Sequence, residues 1–341
     1  MLEASSLKKE SQTLANLIIK TVSEPYNISN STIEIGCSIG IALFPEQATT
    51  SVKLMRHADL AMYQAKRNGK QRCTLFNSSI EKDLEQKIIL KNRIETALAE
   101  NEFNLHFQPQ YNLKTMGIIG LEALIRWNSD EVCYQPDVFI PFAEQNGLIH
   151  LIDFYVIKMV CQQIADWQQQ NIHVPRVAIN ISSQQISSKN ILKLLDDEIL
   201  KHNLTGEDLE LEITEYSLVE SLKKGGRQDS CLPYLHQKGI HISIDDFGTG
   251  YSSLSYLQHM NINRLKIDRS FIQEMTHEKE SQSIVSSIIA LGHNVNATVL
   301  AEGIETEEQR QLLMDLSCDE GQGYLMHKPL PPEDIAKILN S

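Results

Sequence analysis

Between Leu84 and Ser341, strand-like runs alternate with helical patterns, and this alternation limits the possible folds more than any other feature of the chain. Eight runs read as strands: FNLHFQPQYNL, GIIGLEALIRW, RVAINIS, DLELEIT, HISIDDF, RLKID, ATVLAEGI and QGYLMHKP. Helical patterns separate all of them except the first two. The stretch is close to the roughly 250 residues typical of a (β/α)8 barrel. Only Leu113–Gly117 joins the first two runs, which is too short for a crossover, so they are expected to be antiparallel. The predicted fold class is therefore α/β, a modified (β/α)8 TIM barrel with one antiparallel strand.

Strand parity then sorts the side chains, because alternate residues point to opposite faces. In HISIDDF, Ile242 and Ile244 share a face with Ile240, while His241, Ser243 and Asp245 share the other. In DLELEIT the apolar set is Leu209, Leu211 and Ile213, which turns Glu210, Glu212 and Thr214 inward. The same reading turns Glu122, Asn180 and Lys266 inward and places Glu302 at the end of its strand. Asp246 follows Asp245 at the lip. Six strands thus aim a polar group toward their C-terminal ends, where barrel chemistry sits.

Crowded carboxylates repel, and removing them from water costs several kcal/mol per charge unless a partner compensates. Divalent cations are the natural partner, and oxygen-only ligands suit Mg²⁺ or Mn²⁺ better than zinc. Adjacent aspartates fit a pair of ions, one bridging and the other completing the second site. Two metals roughly 3.5–4 Å apart suit in-line phosphoryl displacement. Taken singly, each residue has an ordinary reading. Glu122 and Arg126 suit a helical i,i+4 pair, Asp245–Asp246 a solvated turn, Asn180 a cap and Lys266 a surface position. Their joint parity favours the site.

A net charge of −13 argues against general nucleic-acid binding. The six cysteines are scattered and form no Cys-x-x-Cys pair, as expected of a reduced cytosolic chain. No apolar run reaches the length of a membrane span. The opening MLEASS reads as an artificial junction, which leaves room for an upstream sensor or membrane segment.

Upstream of the barrel, Leu7–Phe76 reads helix, strand, helix, strand. TIEIGCSIGIALFP is a β-rich run ended by Pro45, and Gly69 stops an amphipathic helix. From Ser79 to Glu100 a charged helix carries Ile80, Leu84, Ile88, Ile94 and Leu98 as a rough apolar stripe, suited to a linker or dimer helix. The expected organisation is residues 1–78 as a first segment, 79–100 as a linker helix overlapping the barrel's start, and 84–341 as the barrel.

The motifs LEALIRW, NIS, LEITE, IDDFGTGYSSLSYL, LKIDRSF, AEGIET and GQGYLMHKPLP, in this order, closely resemble EAL-domain cyclic di-GMP phosphodiesterases. The resemblance implies hydrolysis of one phosphodiester bond of cyclic di-GMP to give linear pGpG. By position it implies Glu122, Asn180, Glu212 and Asp245 as ligands of a first metal. Asp245 would bridge to a second metal held also by Asp246, with Glu302 contacting it directly or through water. Lys266 would orient or stabilise the attacking hydroxide, and Glu302 is either the general base or a ligand alone. Arg126 would grip a phosphate, a bidentate task Lys cannot copy. Gln108 and Gln322 would contact the ligand or organise the site. Glu215 would anchor the loop Asp246–Ser253, linking dimer contacts to metal occupancy. The implied cofactors are two Mg²⁺ or Mn²⁺ ions, with Ca²⁺ inhibitory. The implied partners are cyclic di-GMP and a second copy in a homodimer, with no nucleic-acid polymer and no membrane contact within this chain.

CSIGIALFP and ADLAMYQAKRNGKQR resemble the last part of a GGDEF diguanylate cyclase domain, yet no Gly-Gly-(Asp/Glu)-Glu-Phe stretch occurs. This segment is therefore not expected to make cyclic di-GMP. It is left to pack on the barrel, pair between chains or be partly disordered. Two other functions remain open on sequence: a receptor that binds cyclic di-GMP without cleaving it, and a barrel phosphohydrolase with another ester substrate.

Overall fold

The computed structural model describes residues 2–28, 31–128, 133–182, 185, 188–215, 231–249 and 261–340. The chain divides into two compact units, Met1–Glu95 and Thr96–Ser341.

The first unit begins with helix α1 (Leu2–Val22), then strands β1 (Tyr26–Ile28) and β2 (Ser31–Ile33), which pair antiparallel. Strand β3 (Ile39–Ile41), helix α2 (Ser51–Arg67) and strand β4 (Cys73–Leu75) follow, with β3 and β4 parallel. Thr50 caps α2 by accepting from Lys53 N at 3.3 Å. Gly69 beyond its end takes φ +108, as the sequence reading required. The β-rich run expected as one strand is broken into β2 and β3. Strand β1 escaped the reading because all three of its residues are exposed and show no alternation of burial. Ala15, Ile41 and Leu43 form one small apolar cluster and Ala61, Phe76 and Ile80 another, so the segment has ordered cores of its own.

Helix α3 (Ser78–Glu100) follows. Its expected stripe does not form one buried seam: Ile80 and Ile94 are buried, whereas Ile88 is 61% exposed. The six-residue step from Ile88 to Ile94 turns the helix by about 600°, which moves the face away.

In the second unit, β5 (Phe103–Asn112) and β6 (Ile118–Asn128) form a hairpin, and the short β7 (Cys133–Tyr134) pairs with β6. Helices α4 (Pro136–Gln145) and α5 (Ile149–Gln169) precede β8 (Arg176–Asn180), and α6 (Lys189–His202) precedes β9 (Leu209–Thr214). Then come α7 (Leu232–Gln237), β10 (His241–Phe247), β11 (Arg264–Ile267), α8 (Arg269–Glu274) and α9 (Lys279–Asn294). Strand β12 (Thr298–Ala301), α10 (Glu307–Asp315), β13 (Glu320–Gly321) and α11 (Pro332–Leu339) complete the unit.

The order β5-β13-β12-β11-β10-β9-β8-β6, closed by β5–β6, is an eight-stranded barrel. Strand β5 runs antiparallel to both of its neighbours, and the other seven are parallel to one another. The predicted reversed strand is present for the stated reason: the Leu113–Gly117 turn leaves no room for a crossover.

The outward set is as parity assigned it. Leu209, Leu211, Ile213, Ile242, Ile244, Leu265 and Ile267 are all buried, each contributing about 1.5–3 kcal/mol of apolar burial. The eighth strand needs correction. QGYLMHKP is not a strand: β13 ends at Gly321, Gln322 still exchanges backbone hydrogen bonds with Ala301 and Ile304, and the chain turns from Gly323 onward. The cause is close backbone packing, since a Cβ on Gly323 would collide with the backbone of Ile304. The chain returns at Leu330, which exchanges two backbone hydrogen bonds with Phe107.

Candidate active site

Register places the inward residues side by side at the C-terminal ends of the parallel strands. Asn180 of β8 lies opposite Glu212 of β9, and Glu212 lies opposite Ser243 of β10. Across the hairpin, Gln108 of β5 faces Glu122 of β6.

The adjacent aspartates have a backbone explanation. In a regular strand Asp245 and Asp246 would point to opposite faces. The β10–β11 register shifts between Ile244 and Phe247, and Asp246 adopts φ +54. This bulge turns both carboxylates toward the barrel mouth, with Asp246 N donating to Asp245 Oδ1 at 3.0 Å. One oxygen from each of Asp245, Asp246 and Glu302 lies within 4.8 Å of the others.

Lys266 is the centre of the site. It is fully buried, and its Nζ lies 2.7 Å from Glu212, 2.7 Å from Glu302, 3.2 Å from Asp245 and 3.8 Å from Glu122. Four carboxylates from four strands or strand ends therefore converge on one ammonium. Asn180 donates to Glu122 Oε1 at 2.9 Å, and Gln322 donates to Glu122 Oε2 at 2.6 Å and to Glu302 Oε1 at 3.1 Å.

The other sequence-selected residues lie around this cluster. Gln108 donates to the His327 carbonyl at 3.0 Å, tying β5 to the segment after β13. Glu215 accepts from Gly248 N at 3.2 Å. Residues 250–253 of the predicted loop lie outside the described residues. Arg126 lines a cavity of about 420 Å³ together with Asn180, Asp246, Asp153, Glu144 and Asp137.

One ammonium cannot neutralise Glu122, Glu212, Asp245, Asp246 and Glu302 together. Burial works against the charge on Lys266, but the surrounding carboxylates outweigh it and hold its value well above 10.5, so it stays charged. Burial also raises Glu122, but Lys266 and the donors Gln322 and Asn180 bring it below the usual carboxylate value. The surplus negative charge falls on the others. Burial first, then neighbouring carboxylates, pushes Glu212 well up, Asp246 to about 6 and Glu302 to about 8.

These shifts carry a sign. A carboxyl raised from 4.5 to about 8 favours folding while protonated, and that contribution is lost as pH rises through this window. Metal-free protein is expected to lose thermal stability between about pH 4.5 and 8 more steeply than its Glu302→Gln variant, as read by melting in chelator. Parallel profiles for the two proteins would remove the claim that the cluster is overcharged.

Divalent cations fit this donor set. The ligand atoms are hard oxygens, one of them, Glu212 Oε1, is buried with no hydrogen-bond partner, and negative charge exceeds positive.

Sequence reading missed a second polar layer beneath the first. Arg264, 4% exposed, contacts Glu210, Glu320 and Gln110 inside the barrel. A signal was present, because Arg264 shares the parity of Lys266. Asp153 was also missed. It lies on α5, takes a hydrogen bond from Ser182 and is pushed by burial to about 7. A lone aspartate in an apolar helical pattern gives no sequence signal of a site.

A closed α/β barrel with carboxylates gathered at its C-terminal mouth defines a class, the barrels whose acidic site can hold metal. Residues 91–329 match the EAL domain, and residues 1–72 match the GGDEF domain of diguanylate cyclases. The chain belongs to the EAL-domain family. It is 39% identical to the signaling protein YkoW of Bacillus subtilis, over 99% of this chain and 42% of that protein. It is 37% identical to the bifunctional diguanylate cyclase/cyclic di-GMP phosphodiesterase MucR of Pseudomonas aeruginosa, over 96% of this chain and 47% of that protein. It is 32% identical to the cyclic di-GMP phosphodiesterase PdeR of Escherichia coli, over 97% of this chain and 50% of that protein. The chain thus spans about half the length of these relatives.

Among solved structures, the PaMucR phosphodiesterase in complex with c-di-GMP is 36% identical with a TM-score of 0.67, covering 72% of this chain and 99% of that one. The cGMP-bound EAL enzyme Bd1971 is 33% identical with a TM-score of 0.71, covering 85% of this chain and 76% of that one. Among the described residues, no helix is long and apolar enough to cross a membrane.

Proposed function

We propose that this chain hydrolyses cyclic di-GMP to linear pGpG with a pair of Mg²⁺ or Mn²⁺ ions. The observation that carries this reading is the convergence of Glu122, Glu212, Asp245 and Glu302 on Lys266 Nζ, all within 3.8 Å, beside a cavity lined by Arg126. Family membership and the named phosphodiesterase relatives support it.

Glu122, Asn180, Glu212 and Asp245 would hold one ion, and Asp245, Asp246 and Glu302 the other. The ions, when bound, supply an activated water and neutralise the phosphate. The protein's own groups do the rest. Lys266, fixed between Glu212 and Glu302, directs a proton toward the attacking oxygen and opposes its negative charge. Glu302, held by Lys266 and Gln322, would take the water's proton. A P–O bond forms to the water oxygen, the bond to the 3′ oxygen breaks, and that oxygen takes up the proton given up by the water, giving a 5′-phosphate and a 3′-hydroxyl. Arg126 grips a phosphate, and the acidic groups Asp137, Glu144 and Asp153 in the cavity offer acceptors to the N–H edge of a guanine. Glu215 holds the backbone of Gly248 and so the start of the loop after β10. The expected setting is the bacterial cytosol, as a homodimer, with the GGDEF-like segment making no cyclic di-GMP.

The test is chromatography of the nucleotide products. Cyclic di-GMP with Mn²⁺ is expected to yield pGpG, and chelator or Ca²⁺ to suppress it. Binding without turnover at any Mg²⁺ or Mn²⁺ concentration would establish the receptor instead. Arg126→Lys is expected to raise KM for cyclic di-GMP by about 10-fold, equivalent to about 1.4 kcal/mol, with less effect on kcat, because the planar fork is lost while the charge remains. An unchanged KM would remove Arg126 from phosphate binding.

A further inference from the structure

The barrel interior holds two polar layers, and the Gln110 and Gln322 amides join them. In the lower layer the Arg264 guanidinium is paired with two carboxylates. Its Nη1 donates to both oxygens of Glu210 at 2.9 and 2.8 Å, and its Nε lies 2.7 Å from Glu320 Oε2. The same Nη1 donates to Gln110 Oε1 at 2.9 Å. Gln110 Nε2 donates to Gln322 Oε1 at 3.1 Å, and Gln322 Nε2 donates upward to Glu122 and Glu302.

We propose that Arg264 and Gln110 are positioning residues that set the direction of this relay, so that Gln322 presents its NH₂ group, and not its carbonyl, to the two carboxylates. The inference rests on the proposed reading of Glu122 and Glu302 as metal ligands.

A glutamine amide has two nearly isosteric orientations, one a donor and one an acceptor toward a given neighbour. A guanidinium only donates, and it keeps its charge at any pH a protein meets. With Arg264 on one side, the Gln110 oxygen must face it. Its NH₂ must then face Gln322, whose oxygen accepts. The NH₂ of Gln322 is left for Glu122 and Glu302. Gln110 is 0% exposed and Gln322 4%, so water cannot supply the orientation instead. Gly120, paired with Gln110 across the hairpin, leaves the necessary room, since a Cβ there would collide with the Gln110 oxygen. Reversing Gln322 would aim a carbonyl at two carboxylates and displace both from the geometry they hold.

Outer partners of metal ligands typically change metal affinity by about 10–100-fold when lost. The test is Mn²⁺ affinity, measured by isothermal titration calorimetry on the full chain without substrate. Gln110→Met keeps the volume and removes the relay. It is expected to weaken Mn²⁺ binding by about 10–100-fold. A purely structural Gln110 would instead lower the melting temperature in chelator and leave Mn²⁺ affinity at the wild-type value, and that result overturns the proposal. Should Gln110→Met not fold, Arg264→Lys reads the relay from its other end. It retains a cation beside Glu210 and Glu320 but lacks the fork that reaches Gln110, and the same loss of affinity is expected. Equal affinity in the folded variant and wild type sinks the relay while the proposed function stands. A wild type that binds no Mn²⁺ removes both.

Discussion

Replacing Asp245 with Asn is expected to lower turnover of cyclic di-GMP by more than about 100-fold, beyond what loss of an outer partner of a metal ligand costs. The same variant is expected to melt no lower than wild type in chelator. The two effects share one cause. Asp245 lies 3.2 Å from Lys266 Nζ and within 4.8 Å of oxygens from Asp246 and Glu302. In the absence of metal it is one of five carboxylates competing for a single ammonium, so its neutral isostere relieves repulsion. On the proposed function Asp245 would be a ligand of the metal pair, so its loss would weaken the hold on metal. Separate measurements of kcat and of melting in chelator check the pair. A variant that keeps near-normal turnover would show that the convergence is structural and not catalytic.

Lys266→Met should be the most damaging single change to the metal-free protein. Removing one partner of a buried charge cluster typically costs about 3–5 kcal/mol, because the remaining charges are left unpaired. Lys266 touches four carboxylates and is itself wholly buried. The deficit is expected at pH 8 and should shrink toward pH 4, as the carboxylates take up protons and no longer need a counter-charge. The lysine itself remains charged throughout, since its value stays well above 10.5. Mn²⁺ should recover part of the lost melting temperature by replacing the missing positive charge, yet turnover should stay abolished because no ammonium faces the attacking oxygen. Melting curves at the two pH values, with chelator and with Mn²⁺, decide this. Equal melting of variant and wild type in chelator at pH 8 would mean that the carboxylates do not depend on Lys266.

Much of the site could be read because a strand repeats every two residues. Once Leu209, Leu211 and Ile213 are taken as the helix-facing set, Glu210 and Glu212 have only the interior left. The same step turned Glu122, Asn180 and Lys266 inward. The aspartate pair needed more, since parity alone sends Asp246 away from Asp245. Only the register shift in β10 and the left-handed backbone at Asp246 bring both to the mouth. The β13 segment was misread because QGYLMHKP has strand-like composition, while the close approach of Gly323 to Ile304 forces a turn that no local preference shows. The α3 stripe failed for the opposite reason: the apolar residues are present, but the step from Ile88 to Ile94 breaks their common face.

The sequence by itself determined the alternation of strands and helices, the reversed first strand and the inward placing of Glu122, Asn180, Glu210, Glu212 and Lys266, because these follow from short-range periodicity and from the length of one turn. The tertiary structure alone decided which inward residues touch. The fourfold contact of Lys266, the bulge that aligns two aspartates and the amide relay from Arg264 through Gln110 to Gln322 all depend on register between strands distant in sequence. That register is fixed when the barrel closes, and a single chain of letters carries no local record of it.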